Sequence, residues 1–359
     1  MRFREEFGAQ MRSFAILDRI LGHVPAPVVS RLRLVDIGRG SEALYLDQLP
    51  GLLNQLAHRT RIESITASSA IEGVVVPDAA RADRIITGRA KTLRTRSEQE
   101  LAGYRDAQDY LFQTDWRPLN AGLLLHLHRL LFAHTAAPGG RFKTEDNLVV
   151  DRSPNGDVTV RFRPVPAAET EFHVTELIER YRSAAGAGEH HPVLLVGLFV
   201  LDLLVIHPFE DGNGRVARAL THALLADAGY TVGRYVSLEL AIAETADRYH
   251  QALLDSTHGW HGHRPDPWPW LTYFVDILAR SYETFALRAA SGRADGSKQD
   301  RVHDYVMFHA PTVFRMADIR RALPGISDPT IRIVLAQLRE LGLVASEGVG
   351  RAATWRRLR

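Results

Sequence analysis

The sequence predicts a mainly α-helical fold: a helical core carrying one β-hairpin, followed by a small winged helix-turn-helix unit. Three observations predict it. Apolar residues recur at helical spacing through most of the 359 residues. A single stretch, Gly140–Pro166, turns to strand composition. Beyond SGRADGSK (Ser291–Lys298), which has linker composition, a short segment reads as three helices followed by two strands around a glycine turn.

Composition bounds what the chain can do. Its length fits about two or three domains, and 45% hydrophobic with 24% charged residues is an ordinary globular mix. A formal net charge of +2 is too small to make the whole surface a nucleic-acid binder. The absence of cysteine excludes a disulfide framework and any thiolate ligand or nucleophile, and it fits the cytoplasm. The N-terminus lacks the apolar core of a signal peptide. The longest apolar run, Val193–Ile206, is shorter than the ~20 residues of a membrane span and contains Asp202, so we read it as a buried central helix and expect no membrane association.

The N-terminal region (1–95) gives weak signals up to residue 42, with a break at VPAPVV. A helix is expected over about 46–73, through Leu49, Leu52, Leu53, Leu56, Ile62, Ile65 and Ile71. Pro50 suits its first turn and Gly73 its C′ position. Glu72 then falls in the last turn, where the macrodipole disfavours an anion. Ser68, four residues earlier, shares its face. Such a carboxylate is comfortable only when solvated or paired with a cation from elsewhere. Residues 74–96 read as a basic, irregular surface.

The central region (96–290) opens with a capping box, Ser97 and Glu100, ahead of Leu101, Tyr104, Ala107 and Leu111. Pro118 starts another helix, on which His126 and His128 read as packed residues rather than ligands. Strands Leu148–Val150 and Val158–Phe162 flank Pro154-Asn155-Gly156. An isolated hairpin is marginal, so this one must pack on the helices, and its free edge could accept an extended peptide. Phe172, Val174, Leu177 and Tyr181 mark a helix over 167–185. Pro192 opens the apolar helix, a further one runs from about Gly214 to Gly229, and ETADRYHQALLDS and WLTYFVDILARSYETFALRAA complete the region. His258, His261 and His263 lie in a Gly-, Pro- and Trp-rich segment that fits a packed loop better than a metal site.

After the linker (291–298), residues 299–359 read as helices Arg301–Phe308, Met316–Leu323 and Ser327–Leu343, then the two strands. Arg332 and Arg339 lie on the third helix, and Arg351, Arg356, Arg357 and Arg359 at the wing. DNA binding and a dimerisation or protein-contact role are both open, and so is a homodimer.

The chemistry concentrates in HPFEDGNGRVAR (His207–Arg218). Gly212-Asn213-Gly214 permits tight backbone curvature, so that successive N–H groups can face an anion, and the helix starting there adds its positive end. Arg215 and Arg218, three apart, can hold one polyphosphate between them. Asp211 is placed to bind Mg²⁺ bridging phosphates. His207 is a candidate general base, and Phe209 an apolar anchor for the loop. Together these suit attack on a nucleotide phosphate by a hydroxyl.

His207, Phe209, Asp211, Gly212, Asn213, Gly214, Arg215 and Arg218 fill every fixed position of a signature, HxFx(D/E)GNGRxxR. The chain thus resembles the Fic family over about residues 45–290. The resemblance implies a helical protein that transfers AMP from ATP to a Ser, Thr or Tyr hydroxyl of a target protein, and to itself, releasing pyrophosphate. It implies His207 as base, Asp211 on Mg²⁺ (or Mn²⁺), and Gly212, Asn213 and Gly214 on the α- and β-phosphates. Arg215 would meet the β-phosphate and Arg218 the γ-phosphate. The hairpin between Asn147 and Phe162 would be the flap that aligns the target by strand addition, and Tyr249 would lie near the adenine, with His250 replacing a family tyrosine. Ser68, Glu72 and Gly73 fill the family's inhibitory motif (S/T)xxxE(G/N), which implies that Glu72 pairs with Arg218 and excludes the γ-phosphate. Gly214 stands where phosphate-transferring Doc-type relatives carry lysine, which favours AMP transfer; the motif leaves phosphocholine transfer open. Two alternatives accompany this expectation. One is AMP removal, with Glu72 orienting water. The other is a winged-helix DNA-binding regulator whose Fic region only senses nucleotide.

Overall fold

The fold is built around a helix that is apolar on every side. In the computed structural model, which describes residues 13–48, 50–152, 158–260, 265–293, 298–348 and 353–358, three helices precede the central region: α1 (Leu17–Leu21), α2 (Ala26–Gln48) and α3 (Pro50–Ile71). They are followed by α4 (Ala79–Ile86), α5 (Arg96–Gln113) and α6 (Ala121–Leu131), then strands β1 (Val149–Arg152) and β2 (Val158–Phe162). Next come α7 (Thr170–Ala187), α8 (Pro192–Ile206), α9 (Asn213–Asp227), α10 (Leu238–Glu244), α11 (Ala246–Thr257) and α12 (Trp268–Arg293). The chain is mainly α-helical, as expected.

α8 is the central helix, buried around nearly its whole circumference. Its one acid, Asp202, accepts hydrogen bonds from Ser13 Oγ at 2.8 Å and Trp260 Nε1 at 2.9 Å, which is how a fully buried carboxylate is tolerated. Gly197 lets α8 approach α12, since a Cβ there would come within 2.7 Å of Leu271. Among the described residues no helix is long and apolar enough to cross a membrane.

Several expected boundaries are corrected. The weakly patterned N-terminal stretch contains α2, which lies along α12. Its inner stripe passes from Val28, Leu32 and Val35 to Gly38 and Glu42, so the apolar period fades. A Cβ at Gly38 would stand 2.5 Å from the Tyr282 ring, and buried Glu42 accepts a hydrogen bond from Tyr282 Oη at 3.1 Å. α2 also takes in Leu46–Gln48, so the helix placed at about 46 begins at Pro50. The stretch read as irregular holds α4, capped by Asp78, whose carboxylate accepts from Ala80 N and Arg81 N. The cap of α5 is Thr95 rather than Ser97, because Glu100 is turned into the core. Asn120, not Pro118, caps α6.

β1 and β2 pair antiparallel with Val150 opposite Val160 and a bulge between Val149 and Val150. The turn at Pro154-Asn155-Gly156 lies outside the described residues, as do His261, His263, Arg351 and Arg359. α12 continues to Arg293, so the first part of the expected linker is helical. Beyond it stand α13 (Lys298–Asp304), which passes into a π-helical turn at Tyr305–His309, then β3 (Val313–Arg315), α14 (Met316–Ala322), α15 (Asp328–Glu340), β4 (Val344–Glu347) and β5 (Thr354–Arg357). The strands form one antiparallel sheet in the order β3-β5-β4, of which β3 was not expected. This C-terminal unit has its own core, including Val302, Phe314, Ile331 and Leu335. A separate apolar cluster runs from Phe14 to Phe285 and takes in residues on both sides of position 95.

Candidate active site

The site lies where α8 ends and α9 begins. His207 caps α8 in the left-handed region (φ 51°), alone among described non-glycine residues in having positive φ. Its backbone N–H donates to Leu203 O at 3.0 Å. Its Nδ1 lies 3.2 Å from Leu204 O, an acceptor, so Nδ1 carries the proton and Nε2 is left as the basic nitrogen. Burial, with the Lys143 charge nearby, pushes the imidazole down to about 4.

The loop that follows is closed by side chains. Phe209 is fully buried and stacks on His128, with ring centroids 4.0 Å apart. Its N–H donates to Asn213 Oδ1 at 2.9 Å, and its carbonyl accepts from Asn213 Nδ2 at 2.8 Å and Asn147 Nδ2 at 3.0 Å. The Asn213 side chain is therefore occupied in closing the loop, which leaves the backbone as its means of meeting an anion. Gly212 has φ +82°, and a Cβ there would press to 2.6 Å from Leu131.

Three residues outside the signature hold this loop, and sequence reasoning missed them as site residues. His128 Nδ1 accepts from Gly140 N at 3.0 Å, so its Nε2 carries the proton and donates to Asp211 O at 3.2 Å. Burial pushes this imidazole down to about 4 and keeps it neutral. Buried Lys143 donates from Nζ to Ile206 O at 3.1 Å and Asn147 Oδ1 at 2.9 Å, and from its backbone N to Pro208 O. Its bonds and those of Asn147 tie the base of the hairpin to both sides of His207. Local sequence gives no sign of these contacts, which join residues 62 or more apart in the chain.

Asp211 is the exposed member of the loop, with 56% of its side chain accessible. Its Oδ1 accepts from Gly212 N at 2.5 Å and lies 3.4 Å from Arg215 Nη2. Among the described residues there is no cluster of three or more metal-ligating side chains. One open carboxylate beside an anion-facing helix end instead fits a divalent ion that arrives with phosphates. Arg215 is 1% exposed, bound by Glu100 Oε2 at 2.6 Å and lying against the Phe132 ring. The guanidinium, expected to meet a β-phosphate, is enclosed by these partners and also reaches Asp211 Oδ1 of the loop at 3.4 Å.

Arg218 is buried and makes three hydrogen bonds across to α3. Nε donates to Ser68 Oγ at 2.8 Å, and Nη2 donates to Ser68 O at 2.9 Å and Glu72 Oε1 at 2.8 Å. Burial opposes the charge on both partners, but their mutual attraction outweighs it: the Arg218 pKa is raised and the Glu72 carboxyl is held below the usual carboxylate range. The Glu72 carboxylate lies over the first turn of α9, where a Cβ on Gly214 would fall 2.1 Å from Oε1. A carboxylate disfavoured by its own helix is thus placed beside Arg218 and the positive end of another helix. Gly73 takes φ +74° directly after it. Tyr249, expected near an adenine, lies next to Arg218. It is buried beside Trp270, Tyr273 and His250, and it lines a cavity together with Arg218, Thr221 and Ile242.

The Fic/DOC family matches residues 118–225. The chain carries a Fic domain. Its curated relatives include the protein adenylyltransferases Fic of Drosophila ananassae and Drosophila melanogaster, each 32% identical over 108 residues, which is 30% of this chain and 20% of each relative. The matched stretch thus spans about a fifth of the length of these proteins. Among solved structures, a Fic family protein from Desulfovibrio desulfuricans G20 is similar with a TM-score of 0.61 at 19% identity, covering 93% of this chain and 97% of that one. A Fic domain containing signaling protein from Bacteroides thetaiotaomicron VPI-5482 reaches 0.57 at 22% identity, covering 76% and 100% respectively. The Fic fold therefore extends well beyond the matched 108 residues.

Proposed function

We propose that this chain is an autoinhibited protein adenylyltransferase that transfers AMP from ATP to a Ser, Thr or Tyr hydroxyl of a target protein. The observation that carries the reading is the three-bond hold of Ser68 and Glu72 on Arg218, at the mouth of a loop with every signature residue present.

In this reading His207 Nε2 takes the proton of the attacking hydroxyl. The new bond joins that oxygen to the α-phosphorus, and pyrophosphate leaves with the pair of the bond that breaks. Neutral His207 is ready for this at physiological pH. The backbone N–H groups of Gly212, Asn213 and Gly214, with the start of α9, balance the phosphate charge. Asp211 would hold the Mg²⁺ or Mn²⁺ that comes with ATP, which neutralises phosphate charge when bound. The target would lie along the β1–β2 hairpin, whose Leu148 and Val160 are exposed. Glu72 takes the cation that the γ-phosphate needs, so ATP can bind without its α-phosphate in line.

Label transfer from ATP radioactive at the α-phosphate tests this. Wild type is expected to label weakly, Glu72→Gly about tenfold or more strongly, and Glu72→Gly with His207→Ala not at all. Equal labelling by wild type and Glu72→Gly would remove the inhibitory role.

One observation favours a second reading, AMP removal. Glu72 is 34% accessible and close enough to His207 to interact with it electrostatically, so a water could sit between them. Loss of AMP from a pre-modified target that requires Glu72 would support it. For the whole chain we keep the division into 1–95, 96–290, a linker and 299–359, supported at its C-terminal boundary by the separate apolar core. The helix-strand-helix-helix-strand-strand order supports a winged helix in 299–359. Arg332 and Arg339 of α15 are exposed and available to DNA or to a protein surface.

A further inference from the structure

Asp211 stands in a closed ring of four charges. Glu100 Oε2 binds Arg215 Nη1 at 2.6 Å and Glu100 Oε1 binds Arg96 Nε at 2.6 Å. The same two arginines reach Asp211, Arg215 to Oδ1 at 3.4 Å and Arg96 to Oδ2 at 3.8 Å. Each arginine therefore faces both carboxylates and lies closer to Glu100. The corners differ in freedom. Glu100 and Arg215 are buried, and an unpaired charge there is strongly disfavoured. Arg96 is 71% exposed and Asp211 more than half exposed. Asp211 Oδ1 is committed to Gly212 N–H and Arg215, whereas the partner of Oδ2 among the described residues is Arg96. Oδ2 is the oxygen a cation can take.

We infer that Glu100 and Arg96 set how readily Asp211 binds a divalent cation, Glu100 by drawing both guanidiniums off Asp211 and Arg96 by competing for Oδ2. This rests on the reading of Asp211 as the acid that meets a nucleotide-borne metal. Neither residue touches the reacting atoms, so both are positioning residues. The ring gives their removal opposite signs. Without Arg96, Oδ2 loses its competing cation and the metal binds more tightly. Without the Glu100 charge, both arginines fall back on Asp211 and the metal binds more weakly. A merely structural role would weaken binding in both variants.

The experiment uses the full chain carrying Glu72→Gly, with Mn²⁺ titrated by electron paramagnetic resonance in the presence of a non-hydrolysable ATP analogue. Adding R96A is expected to lower the half-saturating Mn²⁺ about threefold, as for loss of one screened surface charge. Adding E100Q is expected to raise it about tenfold. Because R96A alters an exposed side chain, it decides the matter even where E100Q fails to fold. An unchanged or weakened Mn²⁺ curve for R96A overturns the inference. AMP transfer by the Glu72→Gly parent, assayed in parallel, separates the two readings. A parent that transfers AMP while R96A leaves the Mn²⁺ curve unmoved defeats this inference alone. A parent that binds Mn²⁺ and analogue but transfers nothing defeats the adenylyltransferase reading alone.

Discussion

His207 has its tautomer set by one contact, Nδ1 to Leu204 O, and its basicity by burial and Lys143. An imidazole pushed down to about 4 is neutral over pH 5 to 8 and protonates only as the pH falls toward that value. The rate of label transfer by Glu72→Gly should therefore stay level from pH 8 down to about 5 and fall below it. Losing the Glu72 charge, which favours protonation, moves that limb lower still. A limb near the ordinary histidine value of ~6.5 would show the imidazole solvated in the working enzyme. At this scale the signature itself was legible, because consecutive residues in HPFEDGNGRVAR carry the chemistry. The residues that hold the signature were not, since His128, Lys143 and Glu100 reach it from other elements. Glu100 left one trace: it sits on the stripe of Tyr104, Ala107 and Leu111, where a charged residue on an apolar face calls for a buried partner.

The end of α3 shows how an element presents a residue. Val74 N donates to Ser69 O at 3.0 Å and Gly73 N to Ala70 O at 2.9 Å, the paired bonds of a Schellman turn. Glu72 lies at the cap position between them, so the turn fixes where its carboxylate points. Open space surrounds a Cβ at Gly73, so the cost of Gly73→Ala is the left-handed backbone alone, about 1 kcal/mol. On the proposed reading, loosening this turn frees Glu72 part of the time. Gly73→Ala should label more than wild type and less than Glu72→Gly, with a small fall in Tm measured by calorimetry. A lower Tm with unchanged labelling would mean that Ser68 and Arg218 place Glu72 without the turn. This helix end was legible because Gly73 marks it. α2 was not, because its inner stripe runs through Gly38 and Glu42, where close approach and a buried hydrogen bond replace apolar contact. α4 was hidden by the surrounding basic residues, although Asp78 is an ordinary cap.

At the scale of the whole molecule, α3 also touches the C-terminal unit. Arg59 of α3 binds Glu63 at 2.7 Å through Nε and donates from Nη1 to the His309 carbonyl in the π-helical turn. Arg288 of α12 and Arg357 of β5 lie in the same seam, donating to Tyr235 O and Met307 O. Burial and the neighbouring arginines push the Arg288 guanidinium down to about 10, and burial with Arg288 and Arg59 pushes His309 down to about 4. Several positive groups thus crowd one seam, which weakens the docking of the unit against the helices. Arg59 and Glu72 are separated by about 20 Å along one helix, so α3 is one route by which a shift of the unit can reach the active site. Arg59→Ala should speed hydrogen exchange in the π-helical turn at Tyr305–His309. If the unit steadies the inhibitory helix, exchange at Ser68–Glu72 and label transfer should rise with it, by about tenfold for loss of one charge-assisted hydrogen bond. Faster exchange confined to the C-terminal unit, with labelling unchanged, would mean that the unit rides on α3 without acting on it. The exposed arginines of α15 would then serve a function separate from the Fic site.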